Sequence, residues 1–183
     1  MLGKYVICEL WINYIAVQCP LDIIFALDES QSVGRTNYRK MTTFVSQLVG
    51  TLDVKSAGGA HVGVLTYSTI VNKIIYLEDQ STFADLQAYI SNLTYRPGSR
   101  NTAAALNYVR IDMLNSSAAE RSDVPNVVII MTGGGSNDKQ ATKVCKMLKL
   151  FVCMRQLYHC DCVSKVLILH KYSQNNEYIC QID

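Results

Sequence analysis

The 183 residues suffice for one domain with a substantial core and are too few for two ordinary ones. Apolar residues make up 49% and charged residues 17%, which excludes a disordered chain. A net charge of +2 gives no overall pull toward nucleic acid or a membrane surface. The basic residues Lys139, Lys143, Lys146, Lys149, Arg155, Lys165 and Lys171 stand against only Asp138 and Asp161, and read as a solvated helix face followed by a polar tail.

Residues 1–18 carry Lys4, then apolar runs over Tyr5–Cys8 and Leu10–Val17 broken by Glu9. The stretch is too short and too interrupted to span a bilayer. Its form is that of a secretory signal with a cut near Gln18; the other reading is an N-terminal strand packed on the domain. Removing it takes Cys8 and leaves Cys19, Cys145, Cys153, Cys160, Cys162 and Cys180, an even set suited to disulfides in an oxidising compartment. Asn92-Leu93-Thr94 and Asn115-Ser116-Ser117 have the form of glycosylation acceptors.

Strand-like and helix-like signals then alternate, which predicts an α/β fold on a mainly parallel sheet. Asp22–Leu27, Val62–Tyr67 and Val127–Met131 are compact apolar runs of the kind buried on both faces of a sheet. Val71–Leu77 reads as a further strand beside its predecessor, and Val166–Leu169 as a short late one. Met41, Phe44, Val45, Leu48, Val49 and Leu52 form one helical stripe. Phe83, Leu86, Ile90 and Leu93 form another behind Thr82, an N-cap with Asp85 in the reciprocal position. Leu106, Val109 and Met113 follow Thr102 as the expected cap, and Ala141, Val144, Cys145 and Leu148 follow Asp138.

Directly after the first strand stands Asp28-Glu29-Ser30-Gln31-Ser32, then Val33-Gly34. Ligands in open α/β sheets sit beyond the carboxyl ends of the strands, and an aspartate with two alternating hydroxyls there offers oxygen ligands to a hard cation such as Mg²⁺. Taken alone the pattern is weak, because turns and caps use the same residues.

Residues 22–149 resemble a von Willebrand factor type A (vWA) domain of the extracellular kind found in matrilins, collagen VI and integrin I domains. The likeness is carried by Asp22–Gly34, by Val62–Ser68, by Asn101-Thr102-Ala103-Ala104-Ala105-Leu106 and by Val127–Asp138, in that order. It implies a doubly wound, mainly parallel sheet with helices on both faces, and a metal-ion-dependent adhesion site (MIDAS) whose cation binds a partner's acidic side chain. Asp28, Ser30 and Ser32 fall on three of the family's ligand positions. The other two depart from it: the metal threonine falls on Arg100, and the Thr-Asp-Gly triplet reads Thr132-Gly133-Gly134, so the ligand aspartate is Gly133. Thr102 serves only if the loop shifts, with Asp138 replacing the lost carboxylate. The resemblance thus implies a degenerate site with weak Mg²⁺ binding at most, in which Arg100 fills the cation position. After Lys149 the pattern is lost, so 150–183 is a divergent, cysteine-containing segment and the last strand-helix layer is expected to be truncated or improvised.

Other chemistry has less support. Cys153 with His159-Cys160-Asp161-Cys162 lacks the paired Cys-x₂₋₄-Cys spacing of a structural zinc site. Gly133-Gly134-Gly135 lacks the third glycine of a dinucleotide fingerprint and any following Lys-Ser/Thr pair. Ser30 and Ser32 have no base that a nucleophile motif would place, and His61 at a strand start reads as structural. Two function classes remain: a secreted, non-catalytic matrix or adhesion module binding extracellular proteins, and an intracellular or structural scaffold without metal-gated binding.

Overall fold

The computed structural model describes residues 21–52, 59–77, 79, 82–114, 121, 124, 126–133, 166–171 and 178–182. The stretch 1–18 expected to be a secretory signal, Asn115, the helix expected after Asp138 and the cysteines other than Cys180 lie outside the described residues.

Strand β1 (Leu21–Asp28) is buried along its whole length and occupies the middle of the sheet. It pairs in parallel with β2 (Ala60–Tyr67) on one side and β4 (Asn126–Thr132) on the other, so that Ile24 lies level with both Gly63 and Val128. Strand β3 (Val71–Ile75) returns antiparallel to β2. Strands β5 (Val166–Lys171) and β6 (Tyr178–Ile182) complete the order β3-β2-β1-β4-β5-β6.

Alternation of side chains along the strands sorts two cores, one on each face. On one face Ile23, Phe25 and Leu27 meet Tyr38, Met41, Val45 and Leu48 of helix α1 (Gly34–Val49) and Leu86 and Ile90 of α2 (Phe83–Ser91). On the other, Ile24, Ala26 and Val128 meet Leu106 of α3 (Thr102–Tyr108) and Val109 and Met113 of the turn that follows it. Helices therefore cover both faces, as expected for a doubly wound sheet. That following turn, Val109–Met113, is widened to a π-type turn in which Leu114 N–H donates to Val109 C=O at 2.9 Å.

Details differ from the sequence expectations for local reasons. Helix α1 begins at Gly34, well before the apolar stripe at Met41, because its first turns are polar apart from the buried Tyr38. Gly34 adopts φ +76°, a conformation costly for any residue with a Cβ. The cap of α3 is Asn101, whose side-chain oxygen accepts from Ala104 N–H at 3.1 Å; the expected cap, Thr102, is the first helical residue and is buried. Thr82 caps α2 as its spacing from Asp85 predicts.

The late strands form a pair that the sequence did not foretell. β5 is parallel to β4, whereas β6 is antiparallel to β5. Only residues 172–177 separate them, and a parallel return needs a crossover of about a dozen residues or more.

At the amino end of β1 the buried Asp22 is held by Arg121. The guanidinium donates to Asp22 Oδ1 from Nε at 2.9 Å and from Nη2, to Gly59 C=O at 3.0 Å and to Leu21 C=O at 3.1 Å. His61 Nδ1 stands 3.9 Å from the same carboxylate oxygen. Three chain segments are joined there, at the end of the sheet opposite the Asp28 loop.

Candidate functional site at the carboxyl ends of the strands

Strand β1 ends by delivering Asp28 and Glu29, both fully buried, to the upper edge of the sheet. Buried carboxylates are costly unless hydrogen-bonded and paired, and each of these two is saturated from within. Asp28 Oδ1 accepts from Ser30 N–H at 2.9 Å. Asp28 Oδ2 accepts from Thr132 Oγ1 at 2.8 Å and from Arg100 Nε at 2.9 Å. Glu29 accepts from Thr66 Oγ1 at 3.0 Å, Asn72 Nδ2 at 3.2 Å and Arg96 N–H at 3.0 Å.

The two serines complete the loop. Ser30 Oγ and Ser32 Oγ are 3.0 Å apart, and Arg100 Nη2 donates to Ser32 Oγ. Thus Arg100 joins Asp28 to Ser32, and Ser30 is tied to Asp28 by its backbone N–H and to Ser32 by its hydroxyl. The Arg100 side chain is only 9% exposed and that of Asp28 is 0% exposed, so their 2.9 Å ion pair lies in protein rather than in water. Gly133 stands beside them: a Cβ there would lie 3.0 Å from Val33 Cγ2 and 3.8 Å from Arg100 Nη2. Thr102 Oγ1 is 3.4 Å from the Tyr67 hydroxyl.

Three contributors were invisible in the motif. Glu29 occupies a variable position of the Asp-x-Ser-x-Ser pattern, yet ties β2, β3 and the segment at Arg96 together. Tyr67 ends β2 beneath the site, where burial and then the charge of Asp28 push its hydroxyl well above the ordinary range and keep it a proton donor. Tyr95 donates to Ser30 C=O at 3.2 Å, with its ring 5.4 Å from that of Tyr38 and Arg35 lying 5.4 Å above it. The glycosylation candidate Asn92 is exposed at the end of α2, where its Nδ2 donates to Ala88 C=O at 2.9 Å.

This donor set does not suit a divalent cation. Mg²⁺ asks for about six oxygens in near-octahedral array. Here one carboxylate is engaged at both oxygens and already neutralised by a guanidinium, with glycine at 133. Among the described residues no group of three or more His, Cys, Asp or Glu side chains is placed to hold a metal. No described helix is long and apolar enough to cross a membrane.

A sheet of this order, with an aspartate-serine loop beyond its central strand, defines the class of open α/β domains that bind ligands at the strand ends. The chain belongs to the von Willebrand factor type A domain family, whose model matches residues 22–156. It is 32% identical to von Willebrand factor of Rattus norvegicus over 120 residues, covering 65% of this chain and 28% of that protein. It is 33% identical to the collagen alpha-4(VI) chain of Mus musculus over 122 residues, or 66% of this chain and 5% of that one. With matrilin-1 of Homo sapiens it shares 35% identity over 117 residues, 64% of this chain and 23% of the relative. The chain therefore spans less than a third of each of these relatives. A solved structure of proximal thread matrix protein 1 from the mussel byssus, with a zinc-occupied MIDAS motif, superposes with a TM-score of 0.66 at 23% identity, over 83% of this chain and 35% of that one. At that identity the likeness shows the fold alone.

Proposed function

We propose that this vWA domain is a non-catalytic, extracellular matrix or adhesion module that binds protein partners at the Asp28 face without a divalent cation. The observation that carries the reading is the Arg100 guanidinium seated on Asp28 and Ser32. A partner's carboxylate would otherwise be drawn there by a metal ion; here the positive charge is already covalently part of the chain. Relationship to collagen VI, matrilin and vitrin supports the matrix setting. The non-catalytic reading is supported by the surroundings of the serines. The hydroxyls of Ser30 and Ser32 bond to each other and Ser32 accepts from Arg100, while His61 stands at the opposite end of the sheet beside Asp22. A nucleophile needs a free base within hydrogen-bond reach, and the carboxylate beside these serines, Asp28, is engaged by Ser30 N–H, Thr132 and Arg100 instead.

The test is retention of the purified domain on cell-deposited matrix, with Mg²⁺ or with EDTA, alongside calorimetric titration with Mg²⁺ and Mn²⁺. Equal retention in both buffers and no micromolar metal binding are expected. Retention that disappears in EDTA, or micromolar binding of either metal, overturns the metal-free reading.

A further inference from the structure

The chain's net charge of +2 is unevenly spread, and the described residues at the end of the sheet that carries Ser32 are strongly basic. Helix α1 contributes Arg35, Arg39 and Lys40, all exposed, and contains no acidic residue from Gly34 to Val49. The segment 93–101 adds the exposed Arg96 and the mostly buried Arg100, again without an acid. The described acids at this end are Asp28 and Glu29, and both are buried with their oxygens turned to internal donors. Arg100 is matched by Asp28. Among the described residues, Arg35, Arg39 and Arg96 enter no ion pair.

Two of these cations are placed by contacts with their neighbours. Arg35 lies over the Tyr95 ring, and Tyr95 is tied to Ser30 by its hydroxyl. The backbone N–H of Arg96 is bonded to the buried Glu29, so the point from which its side chain extends is fixed by the interior. Helix α1 also carries a cation rather than an acid in its first turn, against the preference of a helix amino terminus for negative charge. Local rules broken at one place are a mark of function. Beside this face, in the turn between β2 and β3, Ile70 is 64% exposed. Its turn is anchored by Ser68 N–H to Ile70 C=O and by Asn101 N–H to Ser68 C=O, each 3.0 Å.

We infer that Arg35, Arg39 and Arg96 form a metal-independent receptor for an acidic polypeptide segment that sets an apolar side chain against Ile70. The inference rests on reading this face as the partner-binding face, and names the partner's chemistry. Arginine forks match carboxylates, and stacking on an aromatic ring keeps the fork in place. A sulfated polysaccharide would satisfy the arginines equally but offers no apolar side chain to cover Ile70. The polypeptide is therefore the occupant the surface fits.

The experiment is fluorescence anisotropy on the full chain, with a short glutamate-rich peptide carrying leucine as one probe and a heparin oligosaccharide as the other. The peptide is expected to bind, equally with EDTA, and to weaken as salt rises. Arg96→Glu and Arg35→Glu should each lower its affinity by about tenfold or more, which is about 1.4 kcal/mol. Ile70→Ser should weaken the leucine-bearing peptide and leave a leucine-free one unchanged. Gln47→Glu, exposed at the far end of α1, controls for added negative charge, and melting curves confirm that each variant is folded. Arg96→Gln and Arg35→Gln serve if a reversal unfolds. Peptide binding that survives both arginine reversals overturns the inference, as does absence of peptide binding or tighter binding of heparin than of the peptide. Loss of matrix retention in EDTA with intact arginine-dependent peptide binding would instead count against the metal-free reading alone.

Discussion

Arg100 decides more about this site than any residue of the Asp-x-Ser-x-Ser loop. Its ion pair with Asp28 is buried on both sides, so truncating it leaves a carboxylate with two hydrogen-bond donors and no counter-charge. Arg100→Ala should cost about 3–5 kcal/mol, read from denaturant unfolding. The double variant Arg100→Thr with Gly133→Asp should behave oppositely toward metal. A divalent ion 4 Å from a guanidinium meets a repulsion of roughly 8 kcal/mol at an effective dielectric of 20, which the change at 100 removes. The aspartate returns a carboxylate, provided Val33 Cγ2 gives by a few tenths of an ångström. Calorimetry should then detect Mg²⁺ binding in the double variant; a double variant as metal-silent as the native protein would contradict this account. Asp28, Ser30, Ser32, Arg100 and Gly133 could be located in the sequence because they hold ordered positions in a known pattern. Glu29, Tyr67 and Tyr95 could not. A glutamate at a variable motif position and tyrosines among apolar runs look the same whether they brace a site or simply fill a core.

The strands were legible wherever burial on both faces forces a continuous apolar run. Asp22–Leu27, Val62–Tyr67 and Val127–Met131 extend in the structure by only a residue or two, to Leu21–Asp28, Ala60–Tyr67 and Asn126–Thr132. Helix starts were harder, because α1 exposes Arg35, Thr36, Arg39 and Lys40 in its first turns and shows an apolar stripe only later. Strand β6 gave no signal: Tyr178–Ile182 is short, and its pairing follows from the brevity of the link rather than from its own composition. The sheet order carries a prediction about local opening. β1 lies in the interior between β2 and β4, while among the described strands β3 and β6 are the edges, bonded on one side. Native-state hydrogen exchange should therefore rank the amides of β1 with the global unfolding event, and those of β3 and β6 well below it. Equal protection of β6 and β1 would mean that the late strands are not an edge.

Whole-molecule stability should depend on pH through the Asp22, Arg121 and His61 cluster that joins the lower end of the sheet. Burial, and then the nearby Arg121, lower His61 below its ordinary value of 6.5. A lowered folded value means that the stabilisation is complete above 6.5 and is lost as pH falls through the folded value. Asp22 acts with the opposite sign. Burial raises it from 3.8 against the opposing hydrogen bond and charge of Arg121, so its unfavourable contribution at neutral pH relaxes as pH falls toward 3.8. The expected result is a melting temperature that declines below about pH 6.5, with the decline reduced in His61→Gln. An identical profile in that variant would show that the acid sensitivity arises elsewhere.

The antiparallel turn of β6 has a consequence for how force and partners reach the domain. β1 starts at Leu21 on the underside and climbs to the Asp28 face; β6 descends to finish at Ile182 on that same underside. With about 3.3 Å of rise per residue, the seven steps from Leu21 to Asp28 put roughly 23 Å between that underside and the Asp28 end of the sheet. Had β6 run parallel, Ile182 would have emerged beside the arginines. A pull applied between Leu21 and Ile182 should therefore peel β6 from β5 before tension reaches the upper loops, an order that force spectroscopy would read. The proposed receptor face thus stands at the end of the sheet away from both of these strand ends.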